Sequence, residues 1–212
     1  GSSRYGNVVD ATYYPDTEAT SPYYGITYDF TTNVLGYASY SDIFQNQDQT
    51  DYNGDYLVPM RGVNEELGVK AEWLDGRLLS TFELFRAEQN GLATYAGVIQ
   101  TNDPNDPRNG QYYYVPQDVS SNGVELEVAG RINDNARVVF GYTHLNLTGP
   151  SGSDIYEWVP RNTVNMQFDS YIPSLEKLRL GVAARWQSDV RKNAGAWQDA
   201  YMLVNAFAAY EL

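Results

Sequence analysis

Nine stretches of the chain alternate apolar and polar residues with a period of two, the spacing at which side chains leave opposite faces of a β-strand. They fall at 22–30, 34–44, 62–73, 78–89, 119–132, 136–146, 161–172, 177–187 and 199–212. The pattern is sharpest at 177–187, where Leu178, Leu180, Val182, Ala184 and Trp186 oppose Lys177, Arg179, Gly181, Ala183, Arg185 and Gln187. At 62–73, Val63, Leu67, Val69, Ala71 and Trp73 share a face, with Glu65 near its upper end; Asn64, Glu66, Gly68, Lys70 and Glu72 share the other. Leu74-Asp75-Gly76-Arg77 joins this segment to the next, and Asp-Gly between alternating runs signals a hairpin. In that next segment Glu83 and Phe85 fall on one face, which makes its orientation the weaker assignment. Nothing in the chain reads as a convincing helix.

The connections alternate in length. Short turns are expected at Thr31-Thr32-Asn33, Leu74–Arg77, Asn133-Asp134-Asn135 and Pro173-Ser174-Leu175-Glu176; long polar loops are expected at 45–61, 90–118, 147–160 and 188–198. Residues 1–21 read mostly as loop, with a possible strand end at 6–14. Consecutive antiparallel strands with this alternation carry all their short turns at one end and all their long loops at the other. That is the plan of an up-and-down transmembrane β-barrel, apolar outside and polar inside. The segments are also longer than the usual five or six residues of soluble strands. A soluble β-sandwich alternates too, with its apolar faces packed inward, and stands as the alternative.

Composition narrows the choice only partly. The chain has 212 residues, 19 of them Tyr and 18 Gly, a formal net charge of −13 and no Cys. The acidic balance argues against nucleic acid or anionic lipid as the main partner. Without Cys there is no disulfide, thiolate site or Cys-ligated zinc. No window reaches 18 consecutive apolar residues, which excludes a spanning helix but not barrel strands, which need about 9–11 alternating residues.

Seven segments, in order, carry a family resemblance: YASYSDIFQNQ (37–47), RGVNEELGVKAEWLDGRL (61–78), FRAEQNGLA (85–93), SNGVELEVAG (121–130), GYTHL (141–145), PRNTVNM (160–166) and LRLGVAARWQ (178–187). Together they resemble the barrel of TonB-dependent ferric-siderophore receptors of Gram-negative outer membranes, in the branch that imports hydroxamate siderophores and pyoverdines. The resemblance spans about residues 22–212. It implies an all-β, antiparallel 22-stranded barrel plugged by an N-terminal globular domain. It also implies a ferric chelate captured outside, and release inward when the TonB–ExbB–ExbD complex pulls on the plug. The expected partners are the ferric siderophore, that complex, and outer-membrane lipid and lipopolysaccharide; nucleic acid is not expected. No plug and no partner-binding box match within the sequence, so residues 1–212 are expected to be one partial barrel domain: about nine strands from the later part of the barrel, without the last strands. A porin-like passive channel and a soluble acidic β-sheet binding module remain the other functional readings.

No enzyme constellation is present. His144 is the single histidine and lies near the outer end of a strand, where a lumen or interface position is expected. Glu65-Glu66 and the Glu125/Glu127 pair lie on strands and suit lumen ion pairs better than acid–base work. Asn102-Asp103-Pro104-Asn105-Asp106 offers oxygens but lacks calcium-loop spacing, and turn chemistry explains it better. No bound cofactor or metal is expected, because a siderophore already fills the coordination sphere of Fe(III). Ligand contacts are expected from aromatic residues at the outer mouth: Tyr112, Tyr113, Tyr114, Trp158 and Trp197, with flat faces suited to an organic chelate. Trp186 lies near the same mouth. Trp73 and Trp186 sit on apolar faces and fit an interfacial girdle better than a ligand site.

Overall fold

In this computed structural model, residues 19–192 and 195–211 are described; the possible strand end at 6–14 lies outside them. The nine expected strands are all present and form one antiparallel sheet. They are β1 (Tyr23–Thr31), β2 (Val34–Gln45), β3 (Met60–Trp73), β4 (Leu78–Val98), β5 (Tyr112–Arg131), β6 (Ala136–Thr148), β7 (Asn162–Ile172), β8 (Leu175–Gln187) and, ninth in the sheet, β11 (Tyr201–Tyr210). Each strand pairs with the next in sequence, except that β8 pairs directly with β11. Between those two the chain makes a small separate hairpin, β9 (Val190–Lys192) and β10 (Ala196–Gln198). The connection 188–198, a loop by its sequence, therefore carries a hairpin. The short runs Val-Arg-Lys and Ala-Trp-Gln are too brief to show a period.

The turn after Trp73 forms because Leu74, Asp75 and Gly76 all adopt positive φ (55°, 57° and 79°). A turn with this backbone hand matches the twist of the strands it joins, and Trp73 accordingly pairs with Leu78. The register is staggered across the sheet. The ladder row that starts at Tyr28 on β1, close to its short turn, runs through Gly36, Val69, Phe82, Leu126, Tyr142 and Val164. It reaches Trp186 at the loop end of β8. A row that climbs steadily from one rim to the other is the shear of a barrel wall.

The structure departs most from expectation above Gln89. Residues 90–118 are not one long loop. β4 runs to Val98 and β5 starts at Tyr112, so Tyr112–Tyr114 lie in a strand. Two register shifts, at Gln89/Leu92 and Tyr95/Gly97, interrupt the pairing and with it the clean alternation that sequence reading depends on. Glycine at 91 and 97, both at positive φ, supplies the bends.

The two faces separate as the alternation requires. Leu67, Val69, Phe82, Leu84, Leu180, Val204 and other apolar side chains of one face are exposed. Among the described residues no second layer covers them, since the only other sheet is the β9–β10 hairpin. A sandwich would bury these rows; a barrel turns them to lipid. Trp73 at the turn end and Trp186 at the loop end both lie on this face.

The opposite face is a polar wall. The Tyr37 hydroxyl donates to Glu83, Ser39 donates to Glu66 at 3.0 Å, and Thr143 donates to Glu125 at 3.3 Å. Asp169, its side chain only 5% exposed, accepts from Arg137 at 3.2 Å and from Arg179 at 2.8 Å. Phe85 belongs to this face without breaking the period. Its ring lies over Gly123 on β5, where a Cβ would come within 2.7 Å of it. Tyr37 over Gly68 and Phe207 over Gly181 repeat the device, so cross-strand glycines make room for the aromatic rings of the inner wall.

Candidate ligand-capture mouth

β3 begins at Met60, so above Asn90 β4 is paired with β5 alone and its other edge has no strand neighbour. The Gln47 side chain fills that place. Its amide nitrogen donates to the carbonyls of Gly91 and Val58, each at 2.8 Å, and its oxygen accepts from the Ala93 N–H at 2.7 Å. The connection 46–59 is thereby laid along the extended β4–β5 hairpin. Three more bonds fix it there: Tyr114 N–H to Thr50 O at 2.9 Å, the Tyr52 hydroxyl to Gln100 O at 2.9 Å, and Arg108 to Asn53 O at 3.4 Å.

The hairpin tip, 99–111, is closed by local polar chemistry. Asp106 accepts from the Arg108 side chain at 3.0 and 2.7 Å. Those bonds, with the Arg108 backbone N–H, hold its carboxyl down at a pKa of about 2. Asp103 accepts from the Asn105 N–H at 2.9 Å, a self-contained turn. Among the described residues no cluster of three or more metal-ligating side chains occurs, here or elsewhere. Beneath the tip Ile99 is fully buried.

The strand divides the tyrosine run. Tyr113 packs edge-on against Tyr52, with ring centroids 5.2 Å apart. Tyr112 and Tyr114 instead meet Tyr95, at 5.6 and 6.2 Å. Alternation along β5 puts Tyr113 on the Glu125 side, the lumen face, and Tyr112 and Tyr114 on the outward face.

Trp158 and Trp197 form a second group. Trp158 packs on Tyr156 at 5.0 Å. The Arg191 guanidinium lies over the Trp197 ring at 5.0 Å, and the indole N–H donates to Asp199 at 2.9 Å. Arg191 also ties the two loops together, through its N–H to Glu157 O at 2.9 Å and an ion pair with the Glu157 carboxylate at 3.9 Å. The five aromatic residues expected at the mouth thus fall into two groups, each braced by its own loop contacts. Sequence reading missed Tyr52, which meets Tyr113 from the 46–59 connection, Tyr95, which meets Tyr112 and Tyr114 across the β4–β5 ladder, Tyr156, two residues before Trp158, and Arg191, which faces Trp197 across the β9–β10 hairpin. His144 lies on the outward face at the loop end of β6, with its ring nitrogen 2.9 Å from Asn162.

A family model for the TonB dependent receptor-like β-barrel matches residues 1–212. The chain belongs to that family. Its members are transport receptors, not enzymes. The ferripyoverdine receptor of Pseudomonas aeruginosa is 32% identical over 204 residues, covering 90% of this chain and 25% of its own length. The ferrioxamine B receptor of Salmonella typhimurium is 29% identical over 197 residues, covering 88% and 26%. Among solved structures, the outer-membrane ferripyoverdine receptor of P. aeruginosa bound to ferripyoverdine superimposes with a TM-score of 0.77 at 30% identity. That match covers 91% of this chain and 27% of the receptor chain. The alcaligin outer-membrane receptor of Bordetella pertussis gives 0.71 at 31% identity, covering 90% and 32%. The chain therefore spans about a quarter of the length of the curated relatives it matches. The nine-stranded sheet, its stagger and its bare apolar face are the features of this TonB-dependent receptor barrel wall.

Proposed function

We propose that this chain is part of the wall of a Gram-negative outer-membrane receptor that captures a ferric siderophore and imports it. Residues 1–212 form one portion of its barrel domain. Energy reaches the barrel from the TonB–ExbB–ExbD complex through a plug domain, and the outward face meets membrane lipid and lipopolysaccharide. The ligand is a ferric siderophore of the hydroxamate or pyoverdine type, the class named by the relatives. The observation that carries this reading is the match of residues 1–212 to the receptor-barrel family, combined with about 30% identity to receptors for ferripyoverdine and ferrioxamine B.

Tyr113, Trp158 and Trp197 supply aromatic surface for the organic part of the chelate; Tyr112 and Tyr114, turned outward onto Tyr95, back the strand that carries Tyr113. Tyr113 is the foremost of its run because it lies on the lumen side and is braced by Tyr52. Trp197 presents a ring already backed by a cation. The test is iron-limited growth of a receptor-deficient strain carrying the intact gene, fed one purified ferric siderophore at a time. Growth on a hydroxamate-containing siderophore is expected. A gene product that reaches the membrane and supports growth on none of them ends the import claim.

A further inference from the structure

The outward face is not uniformly lined. On β2, next after Val34 at the short turn, its ladder positions are Gly36 and Ala38, the two smallest available side chains, between larger neighbours on both sides. Tyr28 and Phe30 on β1 form one wall, and Leu67 and Val69 on β3 the other. All four wall residues are exposed. The result is a trough of about 370 Å³. It is one strand wide, or about 10 Å between the flanking strands. No charged side chain lines it. Tyr28 and Phe30 pack edge to face at 5.2 Å, which holds that wall upright, and the Phe30 ring leans over Gly36.

We propose that this trough is a binding site for one acyl chain of a phospholipid in the leaflet at the short-turn end. Three observations fix the occupant. The trough is continuous with the lipid-facing rows of β3 and β4, so its surroundings are hydrocarbon rather than water. It begins beside the Thr31–Val34 turn, where exposed Thr32 and Asn33 mark the rim at which a headgroup sits. Its width and lack of charge suit a single hydrocarbon chain, whose burial there fills a hollow that the neighbouring side chains leave open. The turn end of an outer-membrane barrel faces the periplasm, where that leaflet is phospholipid. The inference rests on the barrel reading of the family but not on which siderophore is bound.

The test is native mass spectrometry of the intact receptor, released from mild detergent, counting retained phospholipid. Ala38→Trp fills the trough, and Val182→Trp adds the same bulk to the outward face of β8, away from it. The wild type and Val182→Trp are expected to retain one phospholipid that Ala38→Trp loses, while all three bind ferric siderophore alike and keep the heat-modifiable gel mobility of a folded barrel. Ala38→Leu, a smaller filler, carries the comparison if Ala38→Trp does not fold. Equal phospholipid counts in wild type and a folded filled variant overturn the proposal. So does a wild-type dimer that the filling converts to monomer, because the occupant is then a second copy. Failure to bind any siderophore leaves the lipid count readable and counts against the receptor function alone.

Discussion

The wall below Gly91 and the mouth above it are made from the same strands by different means. In the wall each residue's surroundings follow from its parity. Val182 faces outward beside Phe168 and Ala206, and Ala183 faces inward beside Gln167 and Asn205, because neighbours on a ladder share a face. In the mouth, bulges break the parity of β4 while β5 keeps its own, and side chains substitute for backbone partners. Gln47 stands in for a missing strand, and Arg108 and Arg191 each bridge two separate stretches of chain. A repeating pattern therefore builds a surface that meets lipid on one side and a polar lumen on the other. Individually placed polar groups build the mouth, where ligand capture is proposed.

The largest expected effect attacks the wall's two-sidedness. Val182→Arg should cost about 2–4 kcal/mol and Ala183→Arg well under half of that, because only the first puts a cation into hydrocarbon. Refolding titrations of the intact receptor into lipid vesicles read both, and equal costs would break the assignment of faces. Next is Asp169→Ala, which leaves Arg137 and Arg179 without their shared carboxylate. Both arginines keep some contact with water, so the loss should be about 1–3 kcal/mol in the same titration.

The mouth should respond locally instead. Gln47→Ala removes three hydrogen bonds at the unpartnered edge of β4. Each is worth about 1 kcal/mol. Amide exchange should quicken at residues 91–95 and stay unchanged at residues 80–85; faster exchange throughout β4 would mean that wall and mouth are not separate. The smallest effect is in pH. Asp106 is more acidic in the folded loop than in an open chain, so its contribution is fully present above the ordinary carboxylate range and fades as pH falls toward about 2. A spin label at Asn102 should keep its restricted mobility at pH 4 and gain freedom only near pH 2. Loosening already at pH 5 would mean that the Asp106–Arg108 pair does not hold the tip.

How much of this was legible in the sequence follows the same division. The nine strands, the Asp75-Gly76 turn and the outward row from Leu178 to Trp186 could be read directly, since a period of two is visible wherever one face meets lipid. Phe85 looked anomalous because its partner, Gly123, lies on another strand. The Tyr112–Tyr114 run read as loop because Gly91, Gly97 and the Asn-Asp-Pro repeats are turn signals. They mark two bulges and a tip, with strand on either side. The β9–β10 hairpin and the contacts of Tyr52 and Arg191 left no local signal, because loop-to-loop bonds have no sequence period.

A titration of the intact receptor with purified ferric siderophores, followed by quenching of its aromatic fluorescence, tests the proposed capture most directly. Saturable binding is expected for a hydroxamate or pyoverdine-type chelate. Tyr113→Ala should weaken it at least about tenfold, or about 1.4 kcal/mol. Tyr112→Ala, whose ring lies on the outward side against Tyr95, should leave it nearly unchanged. Binding of no ferric siderophore, or equal losses in the two variants, would contradict the account.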